Sequence, residues 1–99
     1  MLLDFSVSFD RAFGKKAKEC RKSLGISQEE VVLRLAEHGV EMCQQVYARI
    51  EKGKRPVRLY ELSAIVLVLN IDLLAFFEAR VSEKLQTHLN THTTASGAG

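Results

Sequence analysis

The chain has 99 residues, 46% hydrophobic and 26% charged, with a formal net charge of +2. That length implies one small domain with a modest core. Cys20 and Cys43 are too few for a disulfide framework and match no zinc spacing. No uncharged apolar run reaches the roughly 18 residues of a membrane span. Asp4, without a basic start, makes a poor signal peptide. A reduced, cytoplasmic protein is expected.

Residues 2–9 put Leu3, Phe5, Val7 and Phe9 on one side if extended. They read as an N-terminal arm that packs on the domain or pairs with another chain. A first helix is expected over 11–23, with Asp10 as N-cap and Gly25 as stop. The second starts at Ser27, where "SQEE" has capping-box order: the hydroxyl takes a backbone N–H while Glu30 reaches back. Val31, Val32 and Leu35 give it an inward face, and Gly39-Val40 ends it.

A third helix is expected from Gln44 to Lys52, followed by Gly53. The fourth spans Leu59–Leu69 behind Pro56, apolar at Leu62, Ile65, Val66 and Leu69. The fifth starts near Asp72 and runs to about Gln86. Along it Leu74, Phe77, Val81 and Leu85 form one stripe, with Leu73 and Phe76 placed to pack on the fourth helix. The domain is taken as residues 10–86, and residues 87–99 read as a flexible tail. His88 and His92 share helical spacing, but their stretch is a weak helix former, so no metal site is expected there.

Positive charge is concentrated in two segments. Residues 10–24 carry Arg11, Lys15, Lys16, Lys18, Arg21 and Lys22 against Asp10 and Glu19, net +4. Residues 43–58 carry Arg49, Lys52, Lys54, Arg55 and Arg58 against Glu51, also net +4. Such polarisation points to an anionic partner.

The third helix sharpens that reading. At about 100° per residue, Gln44, Ala48, Lys52, Gln45 and Arg49 form one continuous polar arc. Val46, Ile50 and Tyr47 form the opposite arc, with Glu51 on the border. An amide both donates and accepts, so glutamine can meet adenine N6 and N7 in the major groove; arginine can fork onto guanine O6 and N7. Lys54 and Arg55, past the helix end, suit backbone phosphates. No Ser-His-Asp or Cys-His arrangement, paired acids or phosphate-binding glycine loop is evident, so neither an enzyme nor a cofactor is expected.

The stretch "LGISQEEVVLRLAEHGVEMCQQVYARIEKGKR" resembles the helix-turn-helix of phage repressors, Cro proteins and their bacterial relatives, the xenobiotic-response-element type. Arg21 before "LGIS", Gln28, Val31-Val32, Gly39-Val40, the "QQ" pair and "ARIEKGKR" carry the resemblance, which covers about residues 11–78. Ser27 to Glu51 is longer than the family pattern, as if the second helix had an extra turn and the following turn were longer. Cys43 stands where the family usually has Ser or Thr.

The resemblance implies an all-α, compact five-helix lambda-repressor-like domain. It implies that Gln44, Gln45 and Arg49 read bases, with Ala48 allowing close approach. Gln28 would contact phosphate or buttress Gln44, and Lys52, Lys54 and Arg55 would hold the backbone. Arg21 and Glu51 correspond to a structural ion pair. The implied activity is a transcriptional regulator, a repressor acting on double-stranded DNA as a homodimer; the apolar stripe of Leu74, Phe77, Val81 and Leu85 is the expected dimer contact, with the N-terminal arm as its rival. An antitoxin-like protein partner belongs to the same class. The alternative is a protein-interaction module on this fold that does not read DNA. Cys43 as a redox sensor is the lesser reading beside a weak cap.

Overall fold

The computed structural model describes residues 2–82, with side chains from residue 8 onward. Among the described residues the protein is all-helical: α1 Leu2–Leu24, α2 Gln28–Glu37, α3 Gln44–Glu51, α4 Leu59–Leu69 and α5 Leu73–Ser82. Gln86, Leu85 and the tail with His88 and His92 lie outside them. No single described helix is long and apolar enough to cross a membrane.

Helix α1 corrects the first expectation. It starts at Leu2 and runs through Asp10 for 23 residues, so Asp10 caps nothing and residues 2–9 are no separate arm. Phe9, Phe13 and Ala17 repeat every fourth residue and share one face. The Phe9 and Phe13 rings stack with centroids 6.1 Å apart, and Phe13 and Ala17 are fully buried.

Helix α2 opens at Ser27, whose hydroxyl accepts the Glu30 N–H at 3.0 Å. Only half of the capping box forms. The Glu30 carboxylate turns outward to Arg34 Nε, 3.0 Å away at i,i+4. The helix ends as its sequence indicates. Gly39 adopts φ +82, its N–H donates to the Ala36 carbonyl at 2.9 Å, and the Val40 N–H donates to the Leu35 carbonyl at 2.9 Å. This backbone arrangement satisfies two otherwise open carbonyls and folds Val40 onto the core.

Helix α4 is the apolar centre. Leu62, Ala64, Ile65, Val68 and Leu69 are buried, and α4 packs on both α1 and α2. Asn70 at φ 56 turns the chain in the left-handed region. Asp72 Oδ1 then accepts the Ala75 N–H at 3.0 Å and caps α5. Phe76 joins the buried cluster that includes the α4 side chains. Its ring meets Phe9 at 5.9 Å and Phe13 at 6.0 Å, both on α1 and both edge-on. The helical extension of α1 supplies that surface, and Arg80 lies over the Phe9 ring at 5.6 Å.

Candidate nucleic-acid interface

Helix α3 packs against α1 and α2. Tyr47 and Ile50 are fully buried and Val46 is half-buried, so the apolar arc faces inward. Gln45, Arg49 and Lys52 are exposed, and Gln44 and Ala48 are half-buried at the rim. Cys43 occupies the N-cap position but makes no side-chain cap hydrogen bond, so the first turn of α3 depends on tertiary contacts.

Two contacts of α1 fix where α3 lies. At Gly14 an added Cβ would run into the Ile50 carbonyl oxygen and would sit 2.6 Å from the Glu51 carbonyl oxygen. A Cβ on Gly53 would sit 2.7 Å from Arg11 Cα. The backbones of α1 and the end of α3 therefore abut, and side-chain-free residues permit it. Sequence reasoning missed Gly14, because a glycine inside a helix carries no sign of what crosses it.

A polar chain leads from this crossing to the surface. Arg21 forks onto Glu51, with Nε donating to Oε2 at 2.7 Å and Nη2 to Oε1 at 3.1 Å. Arg21 Nη1 also donates to the Ile26 carbonyl at 3.1 Å, tying down the α1–α2 turn. Gln28 Nε2 donates to Glu51 Oε1 at 3.0 Å, and Gln44 Nε2 donates to Gln28 Oε1 at 2.8 Å. Burial opposes ionisation of Glu51, yet the hydrogen bonds from Arg21 and Gln28 and the Arg21 charge hold its carboxyl below the ordinary value. Burial first, then Glu51, pushes the Tyr47 phenol upward and keeps it neutral.

The carboxylate also sets the polarity of the two amides. It only accepts, so Gln28 must turn its nitrogen toward Glu51 and its oxygen toward Gln44. Gln44 in turn points its nitrogen at Gln28. It is left with its carbonyl oxygen and one N–H for anything outside.

The basic run divides. Lys52 and Lys54 are exposed. Arg55 is not available in the way its sequence position suggests. Nη1 donates to Glu61 Oε1 at 2.9 Å and Nη2 to Oε2 at 3.0 Å, while Glu61 Oε1 also accepts the Arg58 N–H at 3.0 Å. The Arg55 hydrogen bonds hold the buried Glu61 below its ordinary value against the cost of burial. Arg55 thus closes the α3–α4 loop, with Nη1 and Nη2 both engaged by Glu61. Glu61 carries no sequence signal for this, since an acid early in a helix is ordinarily solvated.

On α5, Leu74 is 69% exposed, Phe77 38% and Val81 57%. Leu73 is half-buried and Phe76 buried on the other side. Among the described residues no three His, Cys, Asp or Glu side chains gather as a metal site. No protein-family model matches the chain, nor does any curated protein.

Proposed function

We propose that the protein is a sequence-specific double-stranded DNA-binding transcriptional regulator of the lambda-repressor-like helix-turn-helix class. In this reading α2 and α3 form the motif and α3 enters the major groove. The observation that carries it is the pairing of an exposed Gln45–Arg49–Lys52 arc with a Gln44 held in one orientation by Gln28 and Glu51. A merely solvated helix face needs no fixed amide; base recognition does. Gln44, Gln45 and Arg49 read base edges, Ala48 permits approach, and Lys52 and Lys54 hold phosphates.

The regulator acts as a homodimer, a repressor occupying a pseudo-palindrome whose half-sites lie about 34–36 Å apart. The exposed stripe of Leu74, Phe77 and Val81 supports α5 as the contact with the second copy. Sedimentation of the Phe77→Asp and Val81→Asp variants tests this part: both become monomeric while remaining folded, and two folded dimers exclude α5.

Selection of bound duplexes from a random pool tests the main reading. A defined half-site emerges, and Gln44→Ala and Gln45→Ala each lose about 1–3 kcal/mol of discrimination at one or two base positions. Failure to enrich any sequence points instead to a protein-interaction module.

A further inference from the structure

A line of cations on α1 remains outside the site described above. Arg11, Lys15, Lys18 and Lys22 are all exposed. At about 100° per residue their side chains fall within an arc of about 60°. Over about 16 Å of helix they repeat at i, i+4, i+7 and i+11. None of the four takes part in an ion pair among the described residues. Like charges at these spacings destabilise an isolated helix; exposed Glu19, four residues after Lys15 and three before Lys22, offsets only part of this, and an anionic surface would relieve the rest.

The position of the stripe indicates which anion. Gly14 and Arg21, two residues of α1 that meet α3, lie on one flank, about 40–120° around the helix from the residues of the stripe. Arg11 abuts Gly53, the residue between Lys52 and Lys54. The stripe therefore continues the basic run at the end of α3 and extends along α1 toward the start of α2. One strand of B-DNA presents about five phosphates along 16 Å of its axis.

We propose that Arg11, Lys15, Lys18 and Lys22 form a second phosphate track, gripping the DNA backbone beside the base pairs that α3 reads. This rests on the DNA-binding reading above. It adds sequence-independent affinity and lengthens the contacted duplex, without touching a base edge.

The test is the salt dependence of binding by the Lys15→Gln, Lys18→Gln, Lys22→Gln triple variant. It is measured on the selected operator and on a random duplex of equal length. The log–log slope becomes shallower by about 2.7, at about 0.9 per lost contact. Affinity for the two duplexes falls by the same factor, and the base preference is unchanged. A wild-type slope in the folded triple variant overturns the track and leaves an acidic protein as the counterpart of the stripe. So does a loss confined to the operator. If the triple variant fails to fold, Lys18→Gln alone must flatten the slope by about 0.9, and an unchanged slope overturns the proposal. The two readings fail separately. A base preference with an unchanged variant slope removes the track and keeps the reading by α3. A flattened slope without any base preference does the reverse. A wild type that binds no duplex removes both.

Discussion

Two buried glutamates, Glu51 and Glu61, each take both prongs of an arginine, and they serve the molecule differently. Glu51 is bound from a residue 30 positions away, across the interface of α1 and α3, and its remaining capacity goes to Gln28 and so to the surface. Glu61 is bound from six positions away, and its second duty is to the Arg58 N–H at the start of its own helix. The first pair orients one helix against another and prepares a surface amide. The second shapes a loop. A buried ion pair is thus not one kind of feature. What it organises depends on the chain length it spans and on what its spare lone pairs reach.

The difference has a thermodynamic consequence. Glu51→Ala leaves Arg21, only 13% exposed, without its charge partner, and is expected to cost about 3–5 kcal/mol. Glu61→Ala leaves Arg55, 26% exposed, where water replaces part of the loss; about 1.5–3 kcal/mol is expected. Urea unfolding of the two variants measures both. Equal losses would show that the difference in exposure of the two arginines does not matter.

Next in size is the crossing that sets Glu51 in place. Gly14→Ala must push α3 away from α1, at about 1–3 kcal/mol. On the DNA-binding function proposed above, it also weakens DNA binding more than its stability loss accounts for, because α3 moves with its carbonyls. A stable Gly14→Ala protein with wild-type affinity would mean that the abutment does not position the reading face.

Acid acts on both glutamates in the same direction. Both carboxyls are lowered from the ordinary 4.5. Their contribution to stability is therefore fully present above that value and is lost as pH falls through each lowered one. Unfolding free energy is expected to fall steeply below pH 4.5. The slope is expected to flatten in Glu51→Gln and in Glu61→Gln, each variant removing its own share. A wild-type acid limb in both variants would assign the loss to other carboxylates.

Much of this arrangement is legible in the sequence where the cause is local. The bounds of α4, the Ser27 cap and the Gly39 stop follow from residues within a turn of each other. The Arg21–Glu51 contact is legible only through the resemblance, because no spacing rule joins residues 30 positions apart. The exposed and buried sides of α5 follow from helical periodicity alone. Residues 2–9 mislead because Leu3, Phe5, Val7 and Phe9 satisfy a two-residue repeat while Phe9 and Phe13 satisfy the helical one. Phe76, Phe77 and Arg80, arriving from α5, all meet the Phe9 ring, contacts that no local repeat announces. Gly14 and Glu61 are illegible for the same reason: each is defined by what approaches it from elsewhere in the chain.

The smallest expected effect separates the two neighbours Lys54 and Arg55. Equal phosphate roles would make their alanine variants alike, each flattening the log–log salt slope by about 0.9. The structure makes them unlike, since Lys54 is exposed and Arg55 is engaged by Glu61. On the proposed DNA-binding function, Lys54→Ala is expected to lose one phosphate contact, which changes the affinity ratio between 50 and 200 mM salt by a factor of roughly three to four. Arg55→Ala is expected to keep the wild-type slope and to lose stability instead, because Glu61 is then buried beside the Arg58 N–H without its cation. Arg55→Lys restores a charge but not the fork, so it recovers little of that stability. A flattened slope in Arg55→Ala at unchanged stability would return Arg55 to the phosphate set and reduce the Glu61 pair to a contact that DNA displaces.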